Sequence, residues 1–117
     1  MEYKLPKKFK DEWVSALRSD KYDQDEGFLY NDCGYFCALG VAFHAVSEIP
    51  LDCLENIATL EDVPYEYNKK VPDELNIDVM VNGGKNSLAN QITYLNDNRS
   101  YSFKEIANWI ELNVKEI

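Results

Sequence analysis

Long apolar runs are what this 117-residue chain most plainly lacks. None approaches the roughly 18 residues that cross a bilayer, so no membrane-spanning helix is expected. The longest, Tyr35 to Val46, suits a buried strand-and-helix element. Basic charge is also scarce: 12 Lys and Arg stand against 21 Asp and Glu, a net −9 at pH 7. Such a surface repels phosphates, so direct binding to DNA or RNA is not expected. No apolar segment follows the early lysines, so no export signal is read and the cytosol is the expected compartment. The three cysteines, Cys33, Cys37 and Cys53, are an odd number and are read as reduced thiols. Cys37 and Cys53 have apolar neighbours, as small core residues do.

What is present is the grammar of one small domain, residues 1–117, of α+β class. The charge is uneven. Lys4, Lys7, Lys8 and Lys10 against Glu2 give the first ten residues +3, so the other 107 carry −12. Solubility alone accounts for such a body; it also suits a basic partner or a surface that imitates DNA.

The periodicity predicts about four helices packed around a small antiparallel hairpin or sheet. Pro6 opens a first helix to about Ser19, with Phe9, Trp13, Val14 and Leu17 on one stripe. Asp20 to Gly27 is a polar loop. Phe28–Tyr30 and Tyr35–Cys37 flank the turn formers Asn31-Asp32-Cys33-Gly34, a hairpin pattern. Ala38 to Val46 is apolar nearly all round and predicts a buried helix, with Gly40 marking a close contact. Pro50 permits a short helix through Leu51, Leu54, Ile57 and Leu60. Glu61 to Gly84 is the least regular stretch, with a helical turn at Pro72–Leu75 and a strand at Ile77–Val81. Ser87 caps a helix to about Leu95, which Asn96-Asp97-Asn98 breaks. Ser102 and Glu105 form a capping box, opening a last helix with Phe103, Ile106, Ile110, Val114 and Ile117 on its apolar stripe.

Chemistry-bearing patterns are few. Asp32-Cys33-Gly34-Tyr35-Phe36 resembles the Asp-Cys-Gly-x-Phe signature of deubiquitinase-like and SUMO-protease-like cysteine peptidases, whose cysteine opens a helix. The sole histidine, His44, follows Cys33 by 11 residues, roughly 16 Å along a helix, which is outside hydrogen-bond reach. Cys33, Cys37 and His44, with Cys53 or a carboxylate as a fourth ligand, do not have a zinc spacing. Gly83-Gly84-Lys85-Asn86-Ser87 leads into a helix N-terminus as a phosphate loop does, but lacks the first glycine of a Walker A motif. Arg18, Tyr22 and Gln24 either anchor the loop or, with Lys85 and Ser87, bind a ligand. Asp23, Asp25, Glu26, Tyr65 and Tyr67 are candidates for a partner surface; tyrosines in such places also cover the edge of a core.

With these residues in view, the chain resembles a family of small, largely uncharacterised bacteriophage and prophage proteins. The matches are Trp13, Ala16, Leu17, Arg18, Ser19, Tyr22, Gln24, Gly27 and Leu29, then Cys37, Leu39, Gly40 and Val41. Leu95, Asn96, Asp97, Ser102, Phe103, Glu105, Ile106, Ala107, Ile110 and Glu111 complete them. The family carries a Cys pair where this chain has Phe36-Cys37. The resemblance implies phage origin and supplies no activity.

The leading expectation is a non-enzymatic phage accessory protein in the host cytosol. It would bind and modulate a host protein, an anti-defence inhibitor of a nuclease acting through its acidic surface, as an anti-CRISPR does. No cofactor and no metal are called for. The alternatives are a small-molecule or nucleotide binder and a cysteine hydrolase using Cys33.

Overall fold

Trp13 shows how the chain closes on itself. It is fully buried, and its indole N–H donates to the carbonyl of Ala38, 25 residues on, at 3.0 Å. The computed structural model describes residues 2–81 and 83–117; Met1 and Asn82, the latter within the irregular 61–84 stretch, lie outside the described residues. Five α-helices are described: α1 (Lys7–Arg18), α2 (Ala38–Ala45), α3 (Tyr65–Asn68), α4 (Leu88–Asp97) and α5 (Phe103–Asn113). The strands are β1 (Tyr3–Leu5), β2 (Asp23–Gln24), β3 (Tyr35–Phe36), β4 (Asp78–Val81), β5 (Gly84–Ser87) and β6 (Val114–Glu116). They pair two by two: β1 with β6 and β2 with β3, both parallel, and β4 with β5, antiparallel. No described helix is long and apolar enough to cross a membrane.

The α+β class and the amphipathic helices match the sequence reading. Pro6 precedes α1, and Phe9, Trp13, Val14 and Leu17 form its buried face. The Ser102–Glu105 capping box is present in both directions, and Phe103, Ile106, Ala107 and Ile110 are buried. Ser87 caps α4 through the N–H of Asn90. α2 is the central buried helix, and at Gly40 it presses against the backbone of Leu29: a Cβ there would lie 1.7 Å from the Leu29 carbonyl oxygen. Only glycine lets two backbones meet so closely.

The sheets differ from the single antiparallel hairpin that was predicted. The Asn31–Gly34 turn forms, the Asn31 side-chain Oδ1 accepting from the N–H groups of Cys33 and Tyr35 at 3.0 Å each. Beyond it the hairpin is a single antiparallel bridge, Tyr30 to Phe36. Phe36 instead pairs in parallel with Gln24, inside the segment read as a loop. The helix expected from Pro50 to Leu60 is two separate 3-10 turns, Leu51–Cys53 and Leu60–Asp62, parted at Asn56, whose φ is 57°. The apolar stripe of α5 ends at Ile110. Val114 leaves the helix to start β6, which pairs with β1, and Ile117 is exposed. Asn96 does not break α4: it is buried inside it, and the helix continues to Asp97.

Candidate functional site

The side chains of Gln24 and Asn96 tie four elements together. Both ends of the Asn96 side-chain amide are fully used. Its carbonyl accepts from Gln24 Nε2 at 2.9 Å and from the Ala38 N–H at 3.2 Å. Its Nδ2 donates to the Asp25 carbonyl at 3.0 Å and to Asp97 Oδ1 at 2.8 Å. Gln24 also donates to the Tyr101 carbonyl at 2.7 Å and accepts from the Phe103 N–H at 3.1 Å. Ala38 and Phe103 are the first residues of α2 and α5, so each amide satisfies a helix-start N–H that has no partner in its own helix. Asn96 is 2% exposed; a buried amide is tolerated because all its donors and acceptors are paired.

This network fixes the acidic loop. The Asp25 N–H donates to the Phe36 carbonyl at 2.9 Å. The Asp25 carboxylate accepts from the Glu26 N–H at 2.8 Å and from Asn31 Nδ2 at 3.0 Å. The Gly27 N–H reaches Asp97 at 3.4 Å. Asp20, Asp23, Asp25, Glu26 and Asp32 are all exposed along the loop and the adjoining turn. Asp20 is paired with Lys104 at 3.3 Å; among the described residues the other four have no ion-pair partner. Of the expected partner surface, Asp23, Asp25 and Glu26 therefore share one held segment. Tyr65, 76% exposed, lines a separate groove of about 580 Å³ with Glu61, Asp73 and Asp78. Tyr67 is partly buried against the core, with the Lys70 ammonium 5.6 Å from its ring centre.

The five residues suggested for a ligand do not converge. Arg18 Nη2 bridges to α5, at 2.7 Å from Asn108 Oδ1 and 2.5 Å from Glu111 Oε1. This ion pair raises the Arg18 pKa and holds the Glu111 carboxyl below the usual range. Tyr22 stands edge-on to Phe36, 5.0 Å between ring centres, and next to His44. Gln24 belongs to the network above. Arg18, Tyr22, Gln24 and Ser87 line four different depressions. Lys85 lies on β5, paired with Met80. The stretch read as a phosphate loop is thus a strand, its backbone committed to the β4 ladder, and the Ser87 hydroxyl is spent on the Asn90 N–H.

The cysteines are placed the wrong way round for a hydrolase. Cys33 is exposed in the turn, with no helix behind it. Cys37 is the residue that caps a helix, its sulfur accepting from the Gly40 N–H at 3.4 Å. Burial pushes the Cys37 thiol up to about 11 despite the N–H groups of Gly40 and Leu39, so it stays protonated at neutral pH. His44 turns its Nδ1 to the Ile49 carbonyl at 3.0 Å and stacks on Phe36. Among the described residues no three His, Cys, Asp or Glu side chains gather as metal ligands would.

Residues 5–48 match a family model described as a domain of unknown function (DUF8296). The matched stretch runs from β1 through α1, the acidic loop and the Asn31 turn to the end of α2. It includes Trp13, Gln24 and Gly40 but not Asn96 or α5. Comparison with curated proteins and with solved structures gives no match.

Proposed function

We propose that this is a non-enzymatic phage accessory protein that binds a basic host protein through its acidic loop. The partner's chemistry would be that of a nucleic-acid channel, such as a defence nuclease offers, with the carboxylates of Asp23, Asp25, Glu26 and Asp32 standing where phosphates would lie. Support for phage origin is the resemblance alone, from Trp13 through Glu111.

The observation that carries the binding reading is the fixing of an acidic loop by the Gln24–Asn96 network. A flexible acidic loop serves solubility as well as a rigid one. Holding the loop backbone and the Asp25 carboxylate in place reduces the entropy lost on binding. The test is binding to a basic host nuclease at rising salt, with duplex DNA as competitor. Affinity should fall steeply with salt, and DNA should displace the protein. Binding that is indifferent to both would refute the mimicry.

A further inference from the structure

The outer face of the β2–β3 pair carries an acid and an aromatic side by side. Asp23 and Tyr35 are register partners across the parallel ladder, as Gln24 and Phe36 are. Successive side chains of a strand point to opposite faces, and neighbouring strands lie about 4.8 Å apart. Gln24 turns inward to Asn96 and Tyr101, and Phe36 is buried. Asp23 and Tyr35 therefore share the opposite face, and both are exposed.

Neither side chain is in use. Among the described residues the Asp23 carboxylate has no hydrogen-bond or ion-pair partner, whereas the Asp25 carboxylate is taken by the Glu26 N–H and Asn31 Nδ2. Tyr35 is 41% exposed, and among the described residues no cation lies over its ring. Tyr67 and Tyr101 do have one: the Lys70 ammonium is 5.6 Å and the Arg99 guanidinium 5.8 Å from their ring centres. The backbone beneath the pair is fixed. The Tyr35 N–H donates to Asn31 Oδ1 at 3.0 Å, and the Asp25 N–H to the Phe36 carbonyl at 2.9 Å.

We infer that Asp23 and Tyr35 together seat an arginine of the basic partner, its guanidinium flat on the Tyr35 ring and its forked N–H groups on the Asp23 carboxylate. This rests on the proposed recognition through the acidic loop and narrows the partner's chemistry from any basic residue to arginine. Asp23, Asp25 and Glu26 exclude an anionic occupant. The ring beside Asp23 is what distinguishes among cations. A planar guanidinium stacks on an aromatic face and meets a carboxylate with two parallel N–H bonds, while a lysine ammonium is a strongly hydrated point charge with neither fork nor flat face.

The test is an NMR titration of the labelled protein at low ionic strength with two blocked hexapeptides, one alternating Gly and Arg, the other Gly and Lys. Binding is read at the Asp23 and Tyr35 amides. The arginine peptide should bind about fivefold more tightly, the scale of a cation–π contact at an exposed site. Tyr35→Leu should cut that preference to below about twofold, and Tyr35→Phe, which keeps the ring face, should retain it. Asp23→Asn should weaken the arginine peptide more than the lysine peptide. The amide spectrum of each variant establishes that the fold is kept. Equal affinity of the parent for both peptides, or a preference unchanged in Tyr35→Leu, would overturn the arginine seat and leave recognition through the acidic loop standing. No shift at either amide with either peptide would overturn both.

Discussion

Gly40→Ala separates helix propensity from packing. In an exposed helix the change stabilises by about 1 kcal/mol, since alanine is the better helix former. Here the new Cβ would meet the Leu29 carbonyl oxygen at 1.7 Å, its carbon at 2.6 Å and its Cα at 3.1 Å. All three are backbone atoms, so no side-chain rotation relieves the clash. The two backbones must part by at least about 1 Å, in an interior packed as densely as an organic crystal. Leu29 is fully buried, and its carbonyl accepts from the Cys37 N–H at 3.3 Å, the bond that leads into α2. Losing that bond and opening the packing around Leu29 outweighs the propensity gain, for a net loss of about 3 kcal/mol. Urea denaturation followed by tryptophan fluorescence measures it. A variant as stable as the parent, or more stable, would show that α2 does not lie against Leu29.

The remaining perturbations test other joints. Asn96→Leu leaves the Ala38 N–H and the Gln24 amide without their acceptor and should cost about 2–4 kcal/mol in chemical denaturation; a neutral result would mean that the amide network is not formed. Thiol labelling at neutral pH should modify exposed Cys33 first, with Cys37 reacting only on unfolding, because its thiol is raised to about 11. Mass spectrometry that found Cys37 labelled as fast as Cys33 in the folded protein would contradict its burial. Glu111, lowered below 4.5 by its hydrogen bond from Arg18, should titrate at a lower pH than an ordinary Glu and return toward it in Arg18→Gln. A carboxyl whose folded pKa is depressed adds stability above its unfolded value and loses it as the pH falls through the folded one, so any contribution fades only below 4.5. Carbon-detected NMR titration of parent and variant decides this, and an identical Glu111 curve in both would break the assigned pair.

Local signals were legible and pairings between distant short segments were not. The face of α1, the Ser87 cap and the Ser102–Glu105 box each depend on residues within a turn or two, and each is present. Gly40 was legible because a glycine amid an apolar helix pays a propensity cost that needs a reason. Strands β1 and β6 are three residues long and pair across the length of the chain, which leaves no period to detect. The hairpin of β4 and β5 has a local signal in Gly83, whose φ of 82° suits a tight connection. Asn96-Asp97-Asn98 looked like a helix stop because such side chains compete with the helix backbone. In Asn96 the same hydrogen-bonding capacity is turned outward to Gln24, Ala38 and Asp25, which only the tertiary fold brings within reach. Lys10 lies next to Phe9 on a charged segment, and nothing local marks it as buried.

The most direct measurement of the proposed role is affinity capture from host lysate by two forms of the protein. One is the parent; the other is Asp23→Asn with Asp25→Asn and Glu26→Gln. The amides keep size, and Asn at position 25 keeps one of the two acceptors of Asp25, so matching melting temperatures establish that the loop is still in place. The parent should retain a basic nucleic-acid-binding protein that duplex DNA displaces, and the neutralised form should retain far less of it. Equal retention by both forms, or retention that DNA leaves unchanged, would contradict recognition through the acidic loop.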